Sequence, residues 1–243
     1  MKTAFAHKVD LFLLPEMSFT GFSMNTKLTG EDGQETVHKM ISFAKQYHMA
    51  IGFGWVKNRI EKAENHYTVV HKDGTIISDY VKIHPFSFAG EDQKFSGGDK
   101  IVLFKLDGIV FSTFICYDLR FPEIFQIASK KADVIIVSAN WPERRRDQWR
   151  ILLQARAIEN QVYIIAVNCV GDTGNVIYSG DSCVINPDGQ RIVDSFRQEI
   201  ILEYELKNDV KDFRKCFQMK NDRREDLYYS FGIKEYLKDF QSI

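Results

Sequence analysis

Three residues in this chain have the types and settings for covalent catalysis: Glu16, Lys82 and Cys116. Each stands at the end of an apolar run. Cys116 closes the run Ile109 to Ile115, and a helical stretch opens at Pro122 and runs to Lys131, since proline is tolerated in a first helical turn. A cysteine at such a strand-to-helix elbow has free main-chain N–H groups and a helix dipole beside it. That setting lowers a thiol pKa and can bind an oxyanion. Glu16 follows Val9 to Leu14, a run apolar on both faces that belongs inside a covered sheet. Lys82 alternates with apolar neighbours in Tyr80-Val81-Lys82-Ile83-His84, and if held inward it is a cation waiting for an anion.

Brought to one edge of a layered α/β domain, the three have a joint use. A cysteine attacks an acyl carbon, and a carboxylate takes the thiol proton and later activates water. Lysine, with the main-chain N–H of Tyr117, holds the developing oxyanion. Each residue also has an ordinary alternative. A cysteine ending a strand is commonly a small core hydrophobe, a strand-end glutamate is commonly solvated, and a strand-end lysine commonly snorkels to water. None of the six histidines has an obvious catalytic partner, although His84 lies two residues from Lys82.

The rest of the chain bounds these readings. It has 243 residues, 44% hydrophobic and 13% aromatic, enough to bury a sizeable core and far from a disordered composition. A formal net charge of -1, from 32 basic and 33 acidic residues, with no basic stripe, argues against a nucleic-acid partner. The four cysteines (Cys116, Cys169, Cys183, Cys216) form no CxxC pair and no zinc-type spacing, so no metal is expected. They read as reduced thiols. With no apolar run of about 18 residues and no signal-peptide core, the sequence points to a soluble, cytoplasmic protein without a membrane partner.

Strands and helices follow one another with no linker or repeat, which predicts one α/β domain over residues 1–243. Amphipathic helices are expected at Gln34 to His48 and Arg146 to Gln161. Buried strands are expected at Met49 to Val56, Ala132 to Ser138 and Val162 to Asn168. Asp-Gly turns mark hairpins at Asp73-Gly74, Asp107-Gly108 and Asp188-Gly189. Phe86 to Lys100 and Gly171 to Gly180 read as loops, the second lacking any phosphate-cradle pattern. Glu199 to Leu206 reads as a last strand and Val210 to Cys216 as a short helix.

Leu14-Pro15-Glu16, Tyr80-Val81-Lys82-Ile83-His84 and Ile115-Cys116-Tyr117-Asp118-Leu119-Arg120-Phe121-Pro122 resemble, in order, the three signatures of the nitrilase (carbon–nitrogen hydrolase) superfamily. Ala155 to Asn160 and Gly180 to Gly189 are similar to further stretches of it. The resemblance implies a four-layer αββα sandwich and a Glu16, Lys82, Cys116 triad needing no cofactor. It also implies that Glu91, in Gly90-Glu91-Asp92, orients the lysine, and that the protein is a homodimer packed through the helices at Pro122 and Arg146. Family members carry about two dozen residues, a strand and a helix, before the first glutamate strand. Here Glu16 comes earlier, which implies that the first strand and most of the first helix are missing.

Pro15 to Met24 and Ala139 to Tyr163 look most like the omega-amidase branch, which acts on 2-oxoglutaramate or 2-oxosuccinamate. That implies a small-molecule amide substrate with a carboxylate, substrate contacts at Phe22 and Trp141, and a further cation, Arg156 or one of Arg144 to Arg146. Arg156 could equally pair with Glu159 as a structural residue. The rival readings are N-carbamoyl amine or amino-acid hydrolysis, a nitrile as substrate, or an inactive, shortened homologue serving as an assembly partner.

Overall fold

Val, Ile and Phe crowd the predicted strands, and in the computed structural model, which describes residues 1–228 and Ser230, they build two sheets. The first runs β1 (Leu11–Leu13), β2 (Ala50–Lys57), β3 (Ala63–Val70), β4 (Ile76–Val81), with the two-residue β5 (Phe95–Ser96) beside β3. β1 is parallel to β2, and the β2–β3 and β3–β4 pairs are antiparallel. The second sheet contains β6 (Leu103–Leu106), β7 (Ile109–Ile115), β8 (Val134–Ala139) and β9 (Tyr163–Asn168). β10 (Val170–Asp172) and β11 (Ile177–Ser179) form a separate ribbon, and β12 (Cys183–Ile185) and β13 (Arg191–Asp194) complete the second sheet. Its order is β13-β12-β9-β8-β7-β6, with β7, β8 and β9 parallel. Those three strands are buried on both faces, as the continuous apolar runs require.

One core cluster joins Tyr67, Val69 and Tyr80 of the first sheet to Phe111, Phe114 and Ile136 of the second, so the sheets pack face to face. Helices α1 (Lys2–Ala6), α2 (Thr26–Thr29) and α3 (Glu35–Tyr47) precede β2; α1 and α3 cover the outer face of the first sheet through Ala4, Val37, Met40 and Ala44. α4 (Glu91–Lys94) is a single turn. α5 (Pro122–Ala128) and α6 (Arg146–Asn160) cover the second sheet through Phe125, Trp149, Leu153 and Ala157. The αββα order expected from the resemblance is the observed one. No helix among the described residues is long and apolar enough to cross a membrane.

The chain divides into two units, Met1–Val210 and Lys211–Ile243. The sandwich lies in the first. The rest of α7 (Val210–Cys216) opens the second, in which residues 225–228 are helical and Arg224 pairs with Asp226 at 2.8 Å.

Three segments differ from their expected form. Phe86 to Lys100 is not all loop, since a 3-10 turn (Ser87–Ala89), α4 and β5 occupy it. The glycine-rich stretch Gly171 to Gly180 is largely the β10–β11 ribbon. Glu199 to Leu206 is extended but pairs with no strand. Its alternation is real, because Tyr204 and Leu206 pack against the core while Glu203 and Glu205 face water. A period of two reports which side chains dock and says nothing of a hydrogen-bonded neighbour.

Candidate active site

Glu16, Lys82 and Cys116 all leave the ends of their strands toward one buried cluster. Glu16 follows β1 in a turn laid directly on β2. Gly54 allows that approach, since a Cβ there would stand 2.4 Å from the main-chain nitrogen of Met17. Ser18 stitches the turn down, its N–H donating to the Gly54 carbonyl at 2.9 Å and its hydroxyl accepting from the Gly54 N–H at 3.0 Å. Lys82 follows β4 and prolongs the ladder, donating its N–H to the Asn65 carbonyl at 2.9 Å. Cys116 follows β7 with φ at +48°, a left-handed conformation costly for a side-chain-bearing residue. A 3-10 turn (Cys116–Arg120) intervenes before α5, so Tyr117 lies in a first turn whose N–H groups have no intrahelical acceptor.

The charges are locked together. Lys82 Nζ donates to Glu16 Oε1 at 3.0 Å and to Glu91 Oε1 and Oε2 at 3.0 and 2.8 Å. All three side chains are buried. Glu91 is held by the Phe86 N–H at 2.6 Å, and Glu16 Oε2 by the Asn140 N–H at 2.8 Å. Phe22 lies beside the lysine, its ring centroid 5.8 Å from Nζ.

Burial by itself would lower the Lys82 pKa, but Glu16, Glu91 and Cys116 outweigh it and hold the ammonium protonated far into the alkaline range. Cys116 goes the other way from the elbow expectation. Burial and the charges of Glu16 and Glu91 push its thiol well above the ordinary value, against the opposing pull of Lys82 and the Asn140 N–H. The elbow contributes dipoles, but the closed cluster holds two carboxylates to one ammonium, and that excess favours the neutral thiol. Iodoacetamide at neutral pH should therefore modify exposed Cys216 before half-buried Cys116. The Cys116 rate should keep climbing between about pH 7 and 10, and a plateau near pH 7 would show a stabilised thiolate instead.

Two asparagines belong to the cluster and escaped the sequence reading. Asn65 Nδ2 donates to Glu16 Oε1 at 2.9 Å and to Glu91 Oε1 at 3.1 Å, bridging the two carboxylates. Its Oδ1 is buried without a partner, and flipping the amide would aim that oxygen at both carboxylates. Asn140 Nδ2 donates to the Glu16 carbonyl at 2.8 Å. The available signal was a polar residue inside or at the end of a buried strand.

The arginines sort by partner. Arg156 is buried and donates to the Leu119 carbonyl at 2.9 Å and to Glu159 at 2.8 Å. It supports the elbow from behind and pairs with Glu159, the partner that the structural alternative gives it. Arg146 grips buried Asp181, its Nε 2.9 Å from both carboxylate oxygens. Trp141 is also buried, its indole donating to the Arg145 carbonyl at 2.8 Å while Arg120 lies 4.9 Å over its ring. It braces these two arginines. Arg145 lies over the rings of Phe86 and Phe88, 5.3 and 5.1 Å from their centroids. Its pKa is lowered by burial and by the neighbouring charges of Arg144 and Arg120, against the charge of Cys116. No ion pair joins Arg144 or Arg145 to a carboxylate among the described residues. Tyr178, on the ribbon, completes this side: burial and the charges of Cys169, Glu16 and Cys116 push it up to about 12, against Arg144.

A buried carboxylate–ammonium–carboxylate cluster beside a cysteine at a strained elbow, on an αββα sandwich, defines a thiol-dependent hydrolase class. The carbon-nitrogen hydrolase family model matches residues 1–215, and the chain belongs to that family, in the omega-amidase branch of the nitrilase superfamily. It is 35% identical over 225 residues to the 2-oxoglutaramate amidase of Bacillus subtilis, covering 90% of this chain and 86% of that protein. It is 35% identical over 184 residues to the omega-amidase YafV of Escherichia coli K12, covering 75% and 71%. Among solved structures, XC1258 of Xanthomonas campestris, a CN-hydrolase superfamily protein with an arsenic adduct in its active site, superposes with a TM-score of 0.82 at 31% identity, covering 88% of this chain and 84% of that one. A carbon–nitrogen hydrolase of Helicobacter pylori G27, at 22% identity and a TM-score of 0.86 over 95% and 89% of the chains, shares the fold.

Proposed function

We propose that this enzyme hydrolyses a small amide bearing a carboxylate, of the 2-oxoglutaramate or 2-oxosuccinamate type, to the acid and ammonia. The observation that carries the chemistry is Lys82 clamped between Glu16 and Glu91 beside Cys116. The Cys116 thiol gives its proton to Glu16 as sulfur attacks the amide carbon, so no free thiolate has to accumulate. Lys82 and the Tyr117 N–H receive the oxyanion, which adds negative charge where a preorganised cation waits. The tetrahedral intermediate collapses to a thioester as ammonia leaves with the proton from Glu16. Glu16 then takes a proton from water, which attacks the thioester and releases acid and thiol. Glu91 and Asn65 hold the lysine and Glu16 in register throughout.

The substrate class has support in the names of the relatives and in Arg144 and Arg145, cations gathered without acidic partners among the described residues. Arg145 is the proposed anchor for the substrate carboxylate. Arg145→Met keeps the stem on Phe86 and Phe88 but removes the charge. It should raise KM for 2-oxoglutaramate about 10- to 100-fold, the worth of a charge-assisted hydrogen bond, with kcat little changed. Ammonia release from 2-oxoglutaramate and succinamate, beside neutral amides, N-carbamoyl compounds and nitriles, tests the reading. Preference for a carbamoyl compound or a nitrile, or an Arg145→Met variant with unaltered KM, would overturn the specificity.

The proposal includes residues 1–243 acting as one hydrolase domain, a homodimer and a cytoplasmic setting. Ile127 on α5 and Ile151 and Ile158 on α6 are at least half exposed, an apolar face that a second copy would cover. Sedimentation equilibrium returning a monomer would remove the dimer from the proposal.

A further inference from the structure

Lys82 and Cys116 come from different sheets, and one side chain ties their segments together. Asp118 is fully buried, two residues past Cys116 in the 3-10 turn. Its Oδ2 accepts from the Tyr80 hydroxyl at 2.7 Å and from the Ile115 N–H at 3.0 Å. Its Oδ1 accepts from the His84 main-chain N–H at 3.0 Å and from His84 Nδ1 at 2.8 Å. Tyr80 and His84 stand two residues to either side of Lys82, while Ile115 and Asp118 bracket Cys116. The donors are themselves held. His84 stacks on Phe121, with 3.7 Å between ring centroids and 12° between planes. Tyr80 meets Phe114 edge-on at 5.7 Å and accepts the Ile83 N–H at 3.2 Å.

A buried carboxylate is costly to desolvate, and apolar replacement of buried ionic groups is often neutral or stabilising, so stability alone does not call for Asp118. Apolar packing between the sheets is non-directional and leaves their relative slide weakly specified. Three directed hydrogen bonds from Tyr80 and His84 cross to Asp118, which the Ile115 N–H anchors on its own side, and they specify it closely. A displacement of about 1 Å between reacting groups can cost on the order of 10²-fold in rate.

We propose that Asp118 is a positioning residue that clamps the turn bearing the nucleophile to the strand end bearing Lys82, setting the geometry in which lysine meets the oxyanion. This rests on the roles given above to Cys116 and Lys82. With the amide that the wild-type enzyme turns over best, Asp118→Asn should lower kcat about 10²-fold with KM within about threefold. His84→Ala, which keeps the main-chain bond, should lower kcat about tenfold, and His84→Asn, whose amide N–H stands where the imidazole Nδ1–H was, should restore most of it. Should Asp118→Asn fail to fold, the His84 pair decides.

A second readout needs no substrate. Lys82 favours the Cys116 thiolate, so loosening it should slow Cys116 alkylation in alkaline buffer for His84→Ala and not for His84→Asn. A purely structural residue gives a different pattern: lower melting temperatures, unchanged kcat and alkylation rates, and no difference between the two His84 variants. That pattern overturns the clamp. A wild-type enzyme silent on every amide, with the alkylation rates still shifted, overturns the functional reading and upholds the clamp.

Discussion

Cys116→Ala should reduce amide turnover on the order of 10⁶-fold, the scale on which an acyl-transfer nucleophile matters, and leave the fold nearly intact. No other side chain can take over. Glu16 and Glu91 are committed to Lys82, and Cys169, at the end of β9, is held by burial and by the charge of Glu16 at a pKa of about 12. The stability change should stay within about 1 kcal/mol, because alanine meets the left-handed conformation at position 116 no worse than cysteine does. The measurement is ammonia release beside thermal unfolding of the same preparation. Activity remaining at a few per cent of wild type would place the nucleophile elsewhere.

Lys82→Met should produce the opposite pairing of effects, with both activity and stability falling. The ammonium is fully buried and is the partner of two carboxylates. Removing one side of a buried ion pair leaves an uncompensated charge and costs about 3–5 kcal/mol. Here the remaining carboxylates also face each other, bridged only by Asn65 Nδ2. Catalysis loses the cation that meets the oxyanion, which single oxyanion-hole donors value at about 10²–10³-fold in kcat. Denaturant unfolding should show a lower midpoint with an unchanged slope. A variant as stable as wild type would mean that the three charges are not the buried cluster described above.

The contrast between these two substitutions reflects how each residue is embedded. Cys116 is placed in the site mainly by its main chain, through the elbow that turns β7 into α5. Lys82 is attached by its charge.

Much of this was legible from local pattern. Glu16, Lys82 and Cys116 each end an apolar run, and a run buried on both faces identifies its own strand. Glu91 was legible only through the family resemblance, because it starts a single-turn helix in a stretch that reads as loop. Asn65, Asn140 and Asp118 carry little local sign of their roles: apart from the Ile115 N–H beside Asp118, their partners, Glu16, Glu91 and Lys82's flanking residues, are distant in the chain. Arg156 shows the converse. Its place on an amphipathic helix was plain, but whether its guanidinium met a substrate or the Leu119 carbonyl depended on how α6 docks against the elbow.

By itself, then, the sequence determined most of the strands and helices, the hairpin turns and the three strand-end residues, because periodicity and turn chemistry act between near neighbours along the chain. Tertiary structure alone decided the charge balance of the site. A thiol pKa follows from how much water is removed and from every charge within reach, and the ends of β1 and β4 and the start of α4 bring those charges from separate parts of the chain. The elbow favours a thiolate; burial and two converging carboxylates reverse it and push the Cys116 thiol well above its ordinary pKa.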